Sequence, residues 1–322
     1  MRFMPDDILI EKIFNNDKRA VSRAISIIES GNSNSTELLK DLHKKIGGAY
    51  RIGITGPPGA GKSTLTNQLT KYYRSLNKKV GIIAVDPTSP FTGGALLGDR
   101  VRMSEIGSDP GVFIRSMATR GSLGGLSKKT IDAADVLDAA GYDFIIFETV
   151  GVGQSELDVA KAADTTVVVL VPESGDSIQA MKAGLMEIAD FFVLNKSDRP
   201  GSESAMVALK TILMLRDHTE KSWMPNILKS VASENTGTKE IADEIEKHRD
   251  YLQKSGLLKL KRESNYKIRI KEIVEHLLKN ELWAKERAES LEASLSQVVE
   301  GETSPYQIAE KLFNNFKSSV NQ

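Results

Sequence analysis

The chain has 322 residues, and its 43 Lys and Arg balance its 43 Asp and Glu, so no overall field attracts nucleic acid or an anionic membrane. It contains no cysteine, which excludes disulfides and thiolate metal sites. No apolar run approaches the roughly 20 residues of a membrane helix, and the start, MRFMPDDILIEKIF, lacks the cleavage region of a signal peptide. We therefore expect a cytoplasmic protein without nucleic-acid or membrane partners.

The first part of the chain, residues 1–48, is predicted to be a helical extension. Apolar residues recur at helical spacing between positions 6 and 30, with Asp6 or Asp7 as a cap. The stretch TELLKDLHKKIGG repeats the pattern and ends on a glycine pair. We assign this extension a packing role and no catalytic role.

From Tyr50 onwards, short apolar runs alternate with helix-like stretches. The runs are YRIGIT, KVGIIAVD, GVFIRS, DFIIFET, TTVVVLVP and FFVLNKSD. This alternation predicts an α/β domain over residues 49–258, with a mostly parallel sheet flanked by helices. Ligands of such sheets bind at the carboxyl ends of the strands.

The last part of the chain, residues 259–322, is predicted to be helical. An apolar stripe predicts one long charged helix and consists of Ile270, Ile273, Leu277, Ala284, Ala288, Leu291, Leu295 and Val298. The stripe fits a helix packed on its own domain, or an arm that pairs with a second subunit. Its small alanines slightly favour the first interpretation.

The strand YRIGIT leads into GPPGAGKST and then into a helical pattern, which is the context that a phosphate-binding loop requires. Its glycines let backbone N–H groups surround phosphate oxygens at a helix N-terminus. Lys62 is expected to reach the terminal phosphates. The alternative is a glycine-rich turn with a chance lysine. The predicted phosphate-binding residues are Gly56, Pro57, Pro58, Gly59, Ala60, Gly61, Lys62, Ser63 and Thr64.

The stretch FFVLNKSD indicates which base the bound nucleotide carries, because polar side chains there follow an apolar strand and lie in the loop after it. Asp198 can accept both donors on one edge of guanine, which adenine does not offer. Lys196 can lie over the ring, and Asn195 can tie this loop to the phosphate loop. The backbone N–H groups of Ala232 and Ser233 are predicted to contact the guanine carbonyl, although a plain loop fits that stretch nearly as well. The expected ligand is GTP or GDP.

Four oxygen-bearing side chains are predicted to hold Mg²⁺, directly or through water. Ser63 belongs to the phosphate loop, and Glu148 ends the strand DFIIFET. Asp86 ends the strand KVGIIAVD, and Asp99 follows the glycine-rich stretch FTGGALLG.

Together these motifs resemble a known family. GPPGAGKST, DPTSPFTGGALLGDRVRM, FIRSMATRGSLGGLS, ETVGVGQSE, PESGDSIQAMKAGLMEIAD and NKSD are similar to the GTPases associated with methylmalonyl-CoA mutase, the MeaB or ArgK type. The resemblance implies a metallochaperone that gates adenosylcobalamin loading and protects or reactivates that mutase or a related acyl-CoA mutase. It also implies a C-terminal arm that forms a homodimer, and an adenosyltransferase as a further candidate partner.

The resemblance also places three switch segments, at 86–105, 148–156 and 173–187. Glu148 stands where many P-loop GTPases carry aspartate, and its Mg²⁺ contact is expected through water. Val152 occupies the place of the usual water-orienting glutamine, and Gln154 is the nearest substitute. The predicted catalytic residues are thus Lys62, Glu148 and Gln154.

Other functions stay open at this point. A nickel-delivery GTPase shares the fold, but such proteins relay metal through Cys and His clusters. A kinase that acts on a transport protein needs an acceptor site and a positioned base. The intact residues predicted to bind phosphate and metal argue against a scaffold that binds a nucleotide without hydrolysing it. Arg115 and Arg120 are candidates for contact with phosphate or a partner, and a solvated charge is the alternative for each.

Overall fold

The computed structural model describes residues 7–31, 33–87, 104–119, 128–149, 151, 155–174, 184–214 and 222–320. The helices are α1 (Asp7–Phe14), α2 (Lys18–Ser30), α3 (Ser33–Leu42), α4 (Lys62–Ser75), α5 (Ser104–Gly107), α6 (Lys128–Ala139), α7 (Ser155–Ala162), α8 (Leu185–Ile188), α9 (Ser202–Met214), α10 (Thr238–Lys254), α11 (Leu257–Leu282), α12 (Lys285–Val299) and α13 (Pro305–Val320). The strands are β1 (Tyr50–Thr55), β2 (Val80–Pro87), β3 (Val112–Thr119), β4 (Phe144–Thr149), β5 (Thr165–Leu170), β6 (Phe191–Leu194) and β7 (Ile227–Lys229).

Seven strands form one parallel sheet in the order β3-β2-β4-β1-β5-β6-β7. The six predicted apolar runs are confirmed as β1 to β6, and β7 adds a short edge strand. Every residue of β4 and β5 is buried, as expected when helices cover both faces of a parallel sheet. The predicted α/β fold class is therefore confirmed.

Three apolar clusters cover the two faces of this sheet, and two of them contain residues of the central strand β4. Successive side chains of a strand point to opposite faces, and accordingly Ile145 of β4 belongs to one cluster while Ile146 belongs to the other. The first cluster takes in α2 and α6, and the second takes in α4 and α10. The N-terminal helices are thus part of the first core, in agreement with their expected packing role.

The helix predicted between residues 6 and 30 is two helices. The chain turns after α1 at Asn16, whose φ is +60°. Asp17 then accepts a hydrogen bond of 2.8 Å from Ala20 N and caps the start of α2, as short polar side chains do at helix N-termini. Gly31 ends α2 with a φ of +67°.

The chain divides into two compact units, Met1–Lys259 and Leu260–Gln322. In the second unit, the prediction of one long helix is wrong, because α11 ends at Leu282 and α12 begins at Lys285. Arg287 donates hydrogen bonds of 2.6 Å to the backbone oxygens of Glu281 and Leu282. A cationic side chain thereby satisfies carbonyls that the end of α11 leaves without helical partners.

The stretch after Thr303, for which the sequence offers no motif, contains α13, and its Ile308 and Leu312 are buried. The domain boundaries predicted after residues 48 and 258 stay predictions. Over the described residues, no helix combines the length and the apolar character that a bilayer crossing requires.

A buried carboxylate holds the segment that precedes β1. Asp138 of α6 accepts backbone hydrogen bonds from Gly47, Gly48 and Ala49 at 2.9, 3.0 and 2.9 Å. Arg51 of β1 lies 3.7 Å from this carboxylate and supplies a compensating charge. Because a buried charge is tolerated only when it is paired and hydrogen-bonded, this joint ties the N-terminal helices to the sheet.

We predict that Asp138→Ala lowers the free energy of unfolding by about 3 kcal/mol, since it leaves the buried N–H of Ala49 and part of the Arg51 charge without their acceptor. The matched control is Asp243→Ala, which removes an exposed ion pair with Lys239 on α10 and should leave the urea midpoint unchanged. Equal midpoints for the two variants would show that the joint contributes nothing to stability.

Candidate nucleotide site

The described parts of the predicted site lie at one edge of the sheet. The phosphate loop follows β1, Glu148 lies near the end of β4, and Asn195 follows β6. Ile54 of β1 is in register with Glu148 of β4, and Leu170 of β5 is in register with Leu194 of β6. The carboxyl ends of the central strands therefore bring these residues together, as the parallel topology requires.

The phosphate loop, Gly56 to Gly61, depends on glycine for space as well as for conformation. Gly56, Gly59 and Gly61 have φ values of +135°, +74° and +88°, a region that other residues rarely adopt. A Cβ on Gly56 would lie 2.1 Å from the carbonyl oxygen of Val169, and one on Gly61 would lie 2.3 Å from Asn195 Nδ2. The loop can approach β5 and the β6 loop only because these side chains are absent.

Lys62 is the first residue of α4, and its side chain is buried within the loop. Its Nζ donates hydrogen bonds to the carbonyl oxygens of Gly56 at 2.8 Å and Pro57 at 2.9 Å. Gly151 lies against the same group, because a Cβ there would be 2.7 Å from Nζ and 2.1 Å from Gly56 O. The segment after β4 thus touches the phosphate loop at the ammonium expected to bind phosphate.

Ser63 Oγ donates a hydrogen bond to Glu148 Oε1, so two of the four predicted metal ligands are in direct contact. A hydroxyl and a buried carboxylate beside a phosphate loop are hard oxygen donors of the kind that Mg²⁺ prefers. The side chain of Asp86, and Asp99 and Gln154 entirely, lie outside the described residues. So do most of the predicted switch segments 86–105 and 173–187, and residues 150 and 152–154 of the segment 148–156.

Asn195 is buried and joins three loops. Its Nδ2 donates to Ala60 O in the phosphate loop at 2.8 Å. Its Oδ1 accepts from Ser230 Oγ and from Ala232 N, each at 3.0 Å. The prediction that Asn195 ties its loop to the phosphate loop agrees with this geometry, which also brings in the loop after β7.

Two further residues of the predicted base loop differ in their contacts. Lys196 adopts a φ of +56° and donates from Nζ to Gly59 O at 2.8 Å, so it braces the phosphate loop from the outside. Asp198 is exposed on the turn that follows. Its role toward guanine, and that of Lys196 over the ring, stay predictions.

The loop after β7 is closed upon itself. Val231 and Thr236 form a β-bridge, with hydrogen bonds of 3.1 and 3.2 Å between their backbones. Within the bridge, the N–H of Ala232 donates to Asn195 Oδ1, while its carbonyl accepts from Gln68 Nε2 at 3.1 Å. The guanine contacts of Ala232 and Ser233 stay predictions.

Sequence reasoning did not identify Glu156, a half-buried residue in the first turn of α7. Burial raises the pKa of its carboxyl group, and the positive charge of Lys62 partly opposes that change. The sequence signal for Glu156 was its position, two residues after the predicted catalytic residue Gln154.

Arg115 is a candidate for contact with phosphate or a partner, and in the structure it forms an ion pair with Glu29 of α2.

Comparisons with known proteins agree with this site. Residues 21–287 match the family model described as methylmalonyl Co-A mutase-associated GTPase MeaB. A Pyrococcus abyssi protein named as a GTPase is 48% identical over 308 residues, which cover 95% of each chain. The mitochondrial methylmalonic aciduria type A homolog of Mus musculus is 31% identical over 331 residues, which cover 97% of this chain and 80% of the relative.

A solved structure described as LAO/AO transport system kinase is similar over nearly the whole chain. It superposes with a TM-score of 0.72 at 26% sequence identity, and the match covers 98% of this chain and 100% of the other. This likeness extends to the helical segments that precede and follow the sheet, so the overall architecture is shared.

We predict that Gly151→Ala lowers GTP affinity at least tenfold, because the new Cβ would collide with Gly56 O and displace the phosphate loop. The matched control is Gly141→Ala, where φ is +79° but nothing lies within 4 Å of the new Cβ. Both variants should lose a similar amount of stability from backbone strain, of about 1 kcal/mol. Equal GTP affinities, measured by calorimetry, would contradict the proposed close contact.

Proposed function

Because the chain belongs to the MeaB family of methylmalonyl-CoA mutase-associated GTPases, we propose that it is a GTP-hydrolysing metallochaperone for a cobalamin-dependent mutase. Its proposed task is to gate the loading of adenosylcobalamin onto methylmalonyl-CoA mutase or a related acyl-CoA mutase, and to protect or reactivate that enzyme. An adenosyltransferase is a further candidate partner. The description of the family and the name of the mouse relative support this client.

The observation that carries the nucleotide part of the proposal is the contact of Asn195 with three loops. Asn195 holds the phosphate loop through Ala60 O and the loop after β7 through Ala232 N. A nucleotide bound across these loops meets phosphate donors at one end and guanine-reading groups at the other. Asp198 and the amide of Ser233 are the proposed base contacts, since the N–H of Ala232 donates to Asn195.

Hydrolysis is proposed to depend on groups that lie around the terminal phosphate. Lys62, already aimed into the loop by two carbonyls, donates to β- and γ-phosphate oxygens as the negative charge shifts during cleavage. Ser63 and Glu148 are the proposed Mg²⁺ ligands in the described part of the site, with Asp86 and Asp99 completing the set. When bound, Mg²⁺ neutralises charge on the β- and γ-phosphates.

The nucleophilic water is proposed to lack a good orienting group in the isolated protein. Valine at position 152 neither donates nor accepts a hydrogen bond, and Gln154 is the proposed substitute. An oriented water or a supplied arginine is worth about 10³ to 10⁵ in rate for such enzymes. We therefore propose slow turnover in isolation and faster turnover when the client rearranges the segments 148–156 and 173–187.

The C-terminal unit is proposed to form the homodimer. Ile270, Val274 and Leu277 follow one another at steps of four and three on α11, and their side chains are 60%, 47% and 60% exposed. Exposed apolar residues at helical spacing favour an intersubunit face, and a second copy supplies an identical face for a two-fold contact. A monomeric mass by light scattering at micromolar concentration would contradict this proposal.

Two alternatives to the proposed function are a kinase, which an experiment can distinguish from a GTPase, and a nickel-delivery protein, against which the composition of the chain can be checked. A solved structure of similar architecture is described as a transport system kinase, and a kinase would move the γ-phosphate of labelled GTP onto a protein acceptor instead of releasing it as inorganic phosphate. For nickel delivery, the chain has no cysteine. No group of three or more His, Asp or Glu suited to a metal occurs among the residues that the structure describes.

The test of the proposed function is GTPase turnover with and without a cobalamin-dependent acyl-CoA mutase. We expect slow turnover alone and at least tenfold acceleration by the mutase, while Lys62→Ala should be inactive in both conditions. Gln154→Ala should lose most of the acceleration if that side chain orients the water.

Two results would overturn the proposal: fast turnover in isolation, or no response to any such mutase. Acceleration that survives Gln154→Ala would remove only this glutamine from the mechanism. A pull-down with GDP and with a non-hydrolysable GTP analogue then shows which nucleotide state binds the client.

A further inference from the structure

A closed ring of three side-chain hydrogen bonds links the phosphate loop and α4 to the two loops that are predicted to contact the base. Asn195 Nδ2 donates to Ala60 O, Ala232 N donates to Asn195 Oδ1, and Gln68 Nε2 donates to Ala232 O, at 2.8, 3.0 and 3.1 Å. Gln68 lies on α4, the helix that begins at Lys62 of the phosphate loop. The ring therefore starts and ends on the same loop–helix unit.

Gln68 holds the loop after β7, which is the part of this ring that belongs to neither nucleotide-binding motif. Asn195 belongs to the base loop, and the phosphate loop is positioned by its own glycines. Asn195 accepts from the N–H of Ala232, and within the loop itself the carbonyl of Ala232 accepts a longer hydrogen bond of 3.3 Å from Asn235 N. The amide donor of Gln68 holds the same carbonyl from α4, so Ala232 is held at both of its backbone polar groups.

The contacts around the loop after β7 restrict its position. Ala232 is buried, and the bridge between Val231 and Thr236 closes the loop around it. A Cβ on Gly237, where the loop ends, would lie 2.4 Å from Lys229 O, so that end of the loop is packed tightly against β7. A shift of the Ala232 carbonyl would therefore rotate the adjoining peptides rather than translate the whole loop.

We propose that Gln68 is a positioning residue for guanine selectivity: by holding the Ala232 carbonyl, it aims the N–H of Ser233, which belongs to the same peptide unit, at the carbonyl edge of the base. This inference rests on the proposed function, because it takes the loop after β7 as part of the guanine site. Gln68 acts through Ala232 and does not touch the nucleotide.

The test compares three nucleotides bound to the full chain. GTP and ITP both carry the 6-oxygen, whereas the triphosphate of 2-aminopurine riboside lacks it. For Gln68→Leu we expect GTP and ITP to bind about fivefold to tenfold more weakly, the effect of one net hydrogen bond. The Kd of the 2-aminopurine analogue should change by less than about twofold, because that analogue has no 6-oxygen to lose contact with.

Two further variants on α4 sharpen the comparison. Gln68→Glu keeps the length of the side chain and replaces the amide donor by an oxygen, so it should weaken GTP and ITP at least as much as Gln68→Leu does. Lys71→Gln lies on the next turn of the same helix and removes only an exposed ion pair of 2.7 Å with Glu105, so all three nucleotides should bind to it as to the wild type.

Asp198→Asn separates failure of this inference from failure of the guanine site itself. If Asp198 reads the 2-amino group, this variant should shrink the affinity gap between GTP and ITP. When that gap shrinks but Gln68→Leu weakens all three nucleotides equally, or none of them, the positioning role of Gln68 is overturned while the guanine site stands. When the gap keeps its wild-type size, the guanine site is misplaced, and the inference on Gln68 falls with it.

Discussion

The side-chain amide of Asn195 is the contact on which the geometry of the nucleotide site depends. An asparagine offers one acceptor oxygen and one donor group in a single plane. Here the donor holds the phosphate loop, and the oxygen holds Ser230 and Ala232 of the loop after β7. Because the residue is buried, each of these bonds would leave an unsatisfied polar group if it were broken. The phosphate loop and the loop after β7, which are predicted to bind the two ends of the nucleotide, are therefore both held by one planar side chain.

That arrangement is possible only because other side chains are absent. Asn195 Nδ2 would lie 2.3 Å from a Cβ on Gly61, so the amide can reach Ala60 only across a glycine. Gly56 likewise lets the loop approach Val169 of β5. The glycines of the motif are usually explained by the room that phosphate needs. In this chain the same glycines are also needed for close packing of the phosphate loop against β5 and against the loop after β6. This packing holds the phosphate loop against neighbouring parts of the chain.

Much of this architecture could be predicted from the sequence because its signals are local. Six strands follow from apolar runs, and both nucleotide motifs lie directly after strands. The remaining features depend on contacts between distant residues. Gln68 and Ala232 are 164 positions apart, and nothing in an amphipathic helix distinguishes that glutamine. The end of α11 was missed because the apolar stripe continues across it, whereas the backbone is extended at Ala284 and Arg287 donates hydrogen bonds to the carbonyls of Glu281 and Leu282.

Glutamate at position 148 has a structural consequence that aspartate would lack. Glu148 is in register with Ile54, one residue before the end of β1, and its carboxylate accepts a hydrogen bond from Ser63 at the start of α4. An aspartate would be shorter by one carbon–carbon bond, about 1.5 Å, which is enough to break a direct hydrogen bond. The longer side chain thus links β4 to the phosphate loop across β1. Gly151, three residues later, also lies against Gly56 and Lys62. The chain is therefore held at Glu148 by α4 and at Gly151 by the phosphate loop before it reaches Gln154. A rearrangement of that segment would therefore act on Gly56, Lys62 and Ser63, the groups predicted to bind the phosphates and the metal.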